Sequence, residues 1–201
     1  MTSLHYNDED NNKKLTIAIL GGGTVGKTSV TYKCLNKELI VDDIDTTLED
    51  HYKFYPIIFE EKIEVEIIDT AGQEDYQNFF DTWIQSSEGF LLVFSLTDKN
   101  SFNVVKNKYN KIINIKGKNI PIILIGNKKD LENEREVKFE EAKKYANEKN
   151  IEYIETSAMT GEKCNEAFLE IVKKVYLNKF NVQNFKNEIT IKKSCCNCSI
   201  I

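Results

Sequence analysis

Leu15-Thr16-Ile17-Ala18-Ile19-Leu20-Gly21-Gly22-Gly23-Thr24-Val25-Gly26-Lys27-Thr28 is a short apolar run that breaks into three glycines and closes on Gly-Lys-Thr. Leu15 to Leu20 has strand length, and the stretch from about Lys27 to Asn36 reads as a helix, so the glycines form a strand-to-helix turn. Gly21 to Thr28 fits the spacing G-x-x-x-x-G-K-S/T. Backbone N–H groups can converge on phosphate oxygens only where no Cβ intervenes, and the start of the helix adds partial positive charge. In this pattern Lys27 is placed to reach β- and γ-phosphates, and the Thr28 hydroxyl to ligate Mg²⁺. An ordinary glycine turn is the alternative, and the strand–loop–helix setting weighs against it. The motif points to a nucleotide without choosing its base.

Outward from this loop, strands and helices alternate. His51 to Phe59 and Ile63 to Asp69 read as two strands of a hairpin, with a polar turn at Glu60-Glu61. A helix is expected near Asp75 to Ser87, a strand at Gly89 to Leu96, and a helix over Ser101 to Ile115 entered through a capping-rich Asp98–Ser101 region. Pro121 precedes a buried strand, Ile122 to Gly126. Val137 to Lys149 is amphipathic, Ile151 to Thr156 is a strand, and Lys163 to Phe180 is the last long helix. The order predicts an α/β fold of the P-loop NTPase type: a mostly parallel six-stranded sheet with one antiparallel edge strand and helices on both faces. Residues 1–14 form a polar N-terminal extension, 15–180 the domain, and 181–201 an Asn- and Lys-rich tail.

The 201 residues are 41% hydrophobic and 29% charged, enough apolar material for one core, and the net charge of -5 argues against nucleic-acid binding. Residues 1–14 lack the apolar segment of a secretory signal. Runs such as Phe90-Leu91-Leu92-Val93-Phe94 fall well short of the ~18–20 residues needed to cross a bilayer. The expectation is an intracellular chain that does not span a membrane. Cys34 and Cys164 fall in helical segments as small core residues, while Cys195, Cys196 and Cys198 crowd the end of the chain without the neighbours a zinc site needs.

Asn127-Lys128-Lys129-Asp130 directly follows the strand ending at Gly126. An Asp carboxylate there can accept from the N1–H and N2–H₂ edge of guanine, a donor pair that adenine lacks. Asn-x-x-Asp alone is common in turns; its place after a core strand downstream of the glycine loop gives it weight.

Together with Asp45-Thr46-Thr47-Leu48-Glu49-Asp50, Asp69-Thr70-Ala71-Gly72-Gln73-Glu74 and Glu155-Thr156-Ser157-Ala158, these motifs make the chain resemble a Ras-family small GTPase over roughly Leu15 to Phe180. The resemblance implies a GTP/GDP switch in signal transduction that hydrolyses GTP slowly. Nucleotide contacts then fall to Gly21, Gly22, Gly23, Thr24, Val25, Gly26, Lys27, Thr28, Ser29, Ile40, Thr47, Asp69, Gly72, Asn127, Lys128, Asp130, Ser157 and Ala158. Mg²⁺ falls to Thr28, Thr47 and, through water, Asp69, and catalysis to Gln73 (which orients the attacking water), Lys27 and Thr47. Loss of the γ-phosphate releases Thr47 and Gly72, and their two loops relax. Thr47, Leu48, Glu49 and Asp50 resemble a Ras-subfamily effector strand.

The resemblance also implies an exchange factor, a GTPase-activating protein, effectors and a monomeric domain. Gly23 corresponds to the position where a side chain obstructs the partner's arginine finger. Three positions depart from the family: Leu39 or Ile40 replaces a Phe that packs on guanine, Ile44 replaces the Tyr that closes over the γ-phosphate in Ras itself, and Met159 replaces a Lys. The first two predict faster nucleotide release. A non-hydrolysing GTP-binding adaptor is the competing reading, and an ATPase or nucleoside kinase a third, which Asn127 to Asp130 disfavours.

The chain ends Cys198-Ser199-Ile200-Ile201, a C-a-a-X pattern that predicts prenylation of Cys198, with geranylgeranyl favoured by the branched terminus. Cys195 and Cys196 are candidate palmitoylation sites, and Lys186, Lys192 and Lys193 add attraction to anionic lipid. The expected location is the cytoplasmic face of a membrane, the plasma membrane first.

Overall fold

A computed structural model describes residues 13–35, 49–70, 72 and 77–180. The elements are β1 (Lys14–Gly21), α1 (Lys27–Cys34), β2 (Glu49–Phe54), β3 (Ile57–Ile58), β4 (Glu61–Lys62), β5 (Glu64–Thr70), α2 (Gln77–Ser86), β6 (Gly89–Ser95), α3 (Lys99–Lys116), β7 (Ile122–Asn127), a 3-10 turn at Glu132–Glu134, α4 (Phe139–Lys149), β8 (Glu152–Glu155) and α5 (Cys164–Lys179). Six strands form one sheet in the order β2-β5-β1-β6-β7-β8. Every pair in it is parallel except β2 with β5. This is the sheet expected from the alternating pattern.

The inner strands are apolar on both faces, and their two-residue period divides the side chains between two cores. Ile17, Ile19, Leu91, Val93, Ile123 and Ile125 pack with Val30 of α1 and Phe168, Ile171 and Val175 of α5. Ala18, Leu20, Phe90, Leu92, Phe94 and Leu124 face Trp83 of α2, Phe102 and Val105 of α3 and Ala142 of α4. Phe102 and Phe168 are fully buried; truncating either to Ala would cost about 3–5 kcal/mol through lost transfer energy and a cavity. Cys34 and Cys164 are buried free thiols, as expected, and Cys34 Sγ donates to the Cys164 carbonyl at 3.1 Å.

The hairpin differs from expectation. Its first strand does not run from His51 to Phe59: β2 stops at Phe54, because Pro56 has no N–H to continue the ladder. Beyond it a separate ribbon pairs Ile57 with Lys62 and Ile58 with Glu61. Its turn is Phe59-Glu60 rather than Glu60-Glu61, and both turn residues are left-handed, with φ of 51 and 68, the geometry that matches strand twist in a tight hairpin. Helix α3 begins at Lys99, two residues before the predicted Ser101. Asp98 is its N-cap, accepting from Asn100 N at 2.8 Å, and the buried Ser101 hydroxyl accepts from Ser95 N.

Parallel strands bring their C-terminal ends to one edge of the sheet, where crossover loops gather. The loops after β1, β5, β7 and β8 carry four of the five stretches singled out in the sequence. At the opposite pole Lys13 Nζ donates to Glu61 Oε2 (2.5 Å) and to the Tyr176 hydroxyl (2.8 Å), tying the ribbon to the end of α5. Among the described residues no helix is long and apolar enough to cross a membrane.

Candidate functional site

After β1 the chain turns through Gly22-Gly23-Thr24-Val25 into α1. The turn puts Thr24 at φ 56 and Gly26 at φ 90. A Cβ on Gly26 would lie 2.5 Å from Asn127 Nδ2, so backbone sign and packing both require glycine there. Helix α1 has no side-chain cap, and its first-turn N–H groups remain available to an anion. Gly72, after β5, touches the same loop: a Cβ there would come within 2.3 Å of the Gly22 carbonyl oxygen and 2.6 Å of Gly23 Cα. By contrast, a Cβ on Gly23 would have nothing within 4 Å.

Lys27 curls back over this turn, with Nζ donating to the Gly22 carbonyl at 2.8 Å. Burial of its ammonium lowers its pKa to about 8, against the pull of Asp69. Asp69, at the end of β5, is wholly buried. Burial raises its carboxyl to about 6, while Thr28 and Lys27 favour the charged form and Asp50 adds to the rise. Although Thr28 lies close enough to act on Asp69, neither carboxylate oxygen has a hydrogen bond of normal geometry. A buried carboxylate without such a partner is costly unless something else occupies the space beside it. No cluster of three or more His, Cys, Asp or Glu side chains exists among the described residues. One carboxylate and a hydroxyl nevertheless suit a hard divalent ion that takes its other oxygens from water and phosphate.

The loops after β7 and β8 are joined to the glycine turn by Asn127. Its Nδ2 donates to the Val25 carbonyl at 2.9 Å, and its Oδ1 accepts from the Thr156 hydroxyl (3.2 Å) and the Ala158 N–H (3.1 Å). Ser157 Oγ donates to Asp130 Oδ1 at 2.5 Å, and Lys129 N–H to the Thr156 carbonyl at 3.1 Å. Lys128 takes φ 67, the left-handed conformation that turns the chain sharply after the strand. Asp130 is exposed while Asn127, Ser157 and Ala158 are buried.

The structure thus gathers Gly21 to Ser29, Asp69, Gly72, Asn127 to Asp130, Ser157 and Ala158 at one edge of the sheet. Glu49 and Asp50 open the exposed edge strand β2, opposite Thr70 and Asp69. Leu39, Ile40, Ile44, Thr47, Leu48, Gln73, Cys195, Cys196 and Cys198 lie outside the described residues. Met159, beside Ala158, is 79% exposed and contributes little to the core. Reading the sequence missed Arg135, whose guanidinium reaches Glu155 and Glu132 beneath the base-side loops. One signal was available: it is the only arginine among 27 basic residues.

A glycine loop between β1 and α1, a buried lysine opening α1 near a buried aspartate at the end of β5, and a mostly parallel sheet covered on both faces define a P-loop nucleotide-binding domain. A Ras family model matches residues 16–177. The chain is 34% identical over 189 residues to the Ras-related protein O-RAL of Diplobatis ommata and likewise to Ral-B of Rattus norvegicus, covering 90% of this chain and 91% of each relative. It is 35% identical over 197 residues to the Ras-like protein rasU of Dictyostelium discoideum, covering 94% and 91%. The chain belongs to the Ras family. It is a small GTPase, a GTP-binding hydrolase that acts as a signalling switch and works with regulators and effectors.

Proposed function

We propose that this switch binds guanine nucleotide through two ends of one pocket, and that residues 15–180 are the domain that does so. The single observation carrying this is Asn127, which hydrogen-bonds the glycine turn with one side-chain atom and the Ser157-Ala158 loop with the other. Phosphate cradle and base loops therefore hold a fixed spacing. At the phosphate end, the amides from Gly22 to Ser29 surround the β-phosphate. Lys27 exchanges the Gly22 carbonyl for phosphate oxygens. At the base end, Asp130 takes the N1–H and N2–H₂ edge, Lys128 packs against the ring, and the Ala158 region offers N–H groups.

Thr28, Thr47 and, through water, Asp69 would hold Mg²⁺, which would supply neutralisation of the phosphate charge. Gln73 orients the attacking water, and the chemistry is positioning and charge neutralisation rather than covalent catalysis. Thr47 and Gly72 hold the two switch loops to the γ-phosphate and release them when it leaves. Gly23 needs no glycine for internal packing, which supports the reading that its bare surface admits a partner's arginine. Activation by such a protein, reloading by an exchange factor and effector pairing along Thr47, Leu48, Glu49 and Asp50 complete the cycle. Prenylation at Cys198, with palmitate at Cys195 or Cys196, anchors the chain to the cytoplasmic face of the plasma membrane.

Three measurements test this. Nucleotide extracted from protein purified with Mg²⁺ should chromatograph as GDP or GTP, and protein carrying neither would remove the basis of the proposal. A pulldown with the GTP-analogue form should retain cellular proteins that the GDP form does not. Mass spectrometry of the native chain should show a lipidated Cys198.

A further inference from the structure

Glu155 heads the Glu155-Thr156-Ser157-Ala158 motif, yet binding as described gives it no task. It is the last residue of β8, its side chain is only 11% exposed, and it is met by Arg135, itself 14% exposed. Arg135 Nη1 and Nη2 donate to Glu155 Oε1 and Oε2 at 2.8 and 3.0 Å, a two-point pair. The same guanidinium donates through Nε and Nη2 to both oxygens of Glu132 at 2.8 and 2.7 Å, and through Nη1 to the Val137 carbonyl at 3.1 Å. These five bonds use the five donors of a planar guanidinium fork; a lysine has three donors and cannot make them all. A chain that otherwise uses lysine for every basic position places its single arginine here.

The surroundings show what this clamp holds. Tyr153 donates its hydroxyl to Glu155 Oε1 at 2.8 Å, and a Cβ on Gly126 would come within 2.8 Å of that hydroxyl. Glu155 is thereby fixed under the end of β7, one residue before Thr156. Thr156 N–H donates to the Gly126 carbonyl, its own carbonyl accepts from Lys129 N–H, and its hydroxyl reaches Asn127. Val137, the other partner of Arg135, is tied by its N–H to the Leu96 carbonyl. One guanidinium thus joins Glu155, the residue before the Thr156-Ser157-Ala158 loop, to Glu132 in the 3-10 turn that follows Asn127 to Asp130. The other ion pair joining these loops, Lys129 to Glu162, is more exposed at 35% and 44%, a setting in which an ion pair contributes little.

We infer that Arg135 is a positioning residue for the guanine end of the pocket, clamping Glu155 so that Thr156-Ser157-Ala158 stays in register with Asn127 and Asp130, and thereby setting how long the nucleotide stays bound. The inference rests on the base assignment above. Removing the arginine strands a mostly covered carboxylate, and the β8 end then moves to reach water. The phosphate end, which Arg135 does not touch, keeps its geometry.

The test uses the full chain loaded with N-methylanthraniloyl-GDP in Mg²⁺ buffer and chased with unlabelled GDP. Arg135→Ala and Glu155→Gln should each release the label about tenfold faster, Arg135→Lys about threefold, and the double variant no faster than either single one, because the pair acts as a unit. Cleavage of preloaded GTP in a single turnover should stay within about twofold in all of them, since the triphosphate end is untouched. The preference for GDP over IDP, which lacks the N2 amine, should shrink in the variants, whereas plain destabilisation would lower Tm and leave that ratio alone. Wild-type release and an unchanged GDP/IDP ratio in the folded Arg135→Lys and Glu155→Gln proteins would overturn the positioning role. Wild-type protein that itself fails to prefer GDP over IDP would overturn the base assignment, and the inference with it.

Discussion

The two ends of the pocket are finished to different degrees. At the base end Asn127, Asp130, Thr156, Ser157 and Ala158 already hydrogen-bond one another or the glycine turn, and Arg135 braces them from below. At the phosphate end Lys27 satisfies itself on a backbone carbonyl, and both oxygens of buried Asp69 lack a bond of normal geometry. The pKa directions follow this division: burial pushes Lys27 down and Asp69 up, each away from its charged form. Arg135 instead is held more firmly protonated by its hydrogen bonds to Glu155 and Glu132. A pre-built base end supplies selectivity at little cost in reorganisation. A phosphate end with unmet electrostatic demand couples folding to the ligand, and the ligand's departure to loop release.

The largest expected effect comes from breaking the link between the ends. Asn127→Ala removes three side-chain hydrogen bonds, each worth ~1 kcal/mol net, so GDP affinity should fall at least ~100-fold. Titration with a fluorescent GDP analogue reads this, and a change under threefold would mean that the ends do not depend on one another.

Lys27→Met separates binding from folding. It deletes a buried ammonium, so GDP affinity should drop ~30- to 100-fold while nucleotide-free stability stays within ~1 kcal/mol of wild type or rises. Denaturant melts of nucleotide-free protein, run beside the same titration, check both halves. A large loss of stability in the empty protein would show that the phosphate end is not under electrostatic strain.

Removing ligand tests the coupling itself. With GDP and Mg²⁺ at about 100 times Kd, binding adds ~2.7 kcal/mol, so EDTA and phosphatase treatment should lower Tm by roughly 5–10 °C. Differential scanning fluorimetry measures it, and an unchanged Tm would place ligand binding outside the folded pocket.

The smallest effect belongs to the edge strand, where groups are exposed. Burial works against a charge on His51, but hydrogen bonds to Glu66 and Glu49 outweigh it and raise its pKa above 6.5. Lys14 also pairs with Glu66, and Lys53 with Glu64, on the same face. A raised histidine gives stability that is fully present below its unfolded pKa and lost as pH rises through its folded one. The His51→Gln variant should therefore melt ~1–2 °C below wild type at pH 5.5 and level with it at pH 8.5, the effect being kept small by exposure. A larger gap would mean that this strand is less solvated than its 48% exposed histidine indicates.

Much was legible beforehand because it depends on local chemistry. The glycine run demanded a tight turn, alternating apolar strands demanded a sheet covered on both faces, and five short motifs carried the family resemblance. The hairpin was misread because periodicity continues through Tyr55 and Pro56, whereas the ladder depends on an N–H that Pro56 lacks. Arg135 was passed over because its partners lie three and twenty residues away and on different elements.

By itself, then, the sequence determined which residue types meet phosphate and base, since those needs are met within a few consecutive positions. Only the tertiary structure decided that Asn127 joins the two ends, that Asp69 is buried with its demand unmet, and that one arginine braces the base loops. Each of these depends on distances between strands far apart in the chain, and burial and hydrogen bonding exist only once those strands are packed.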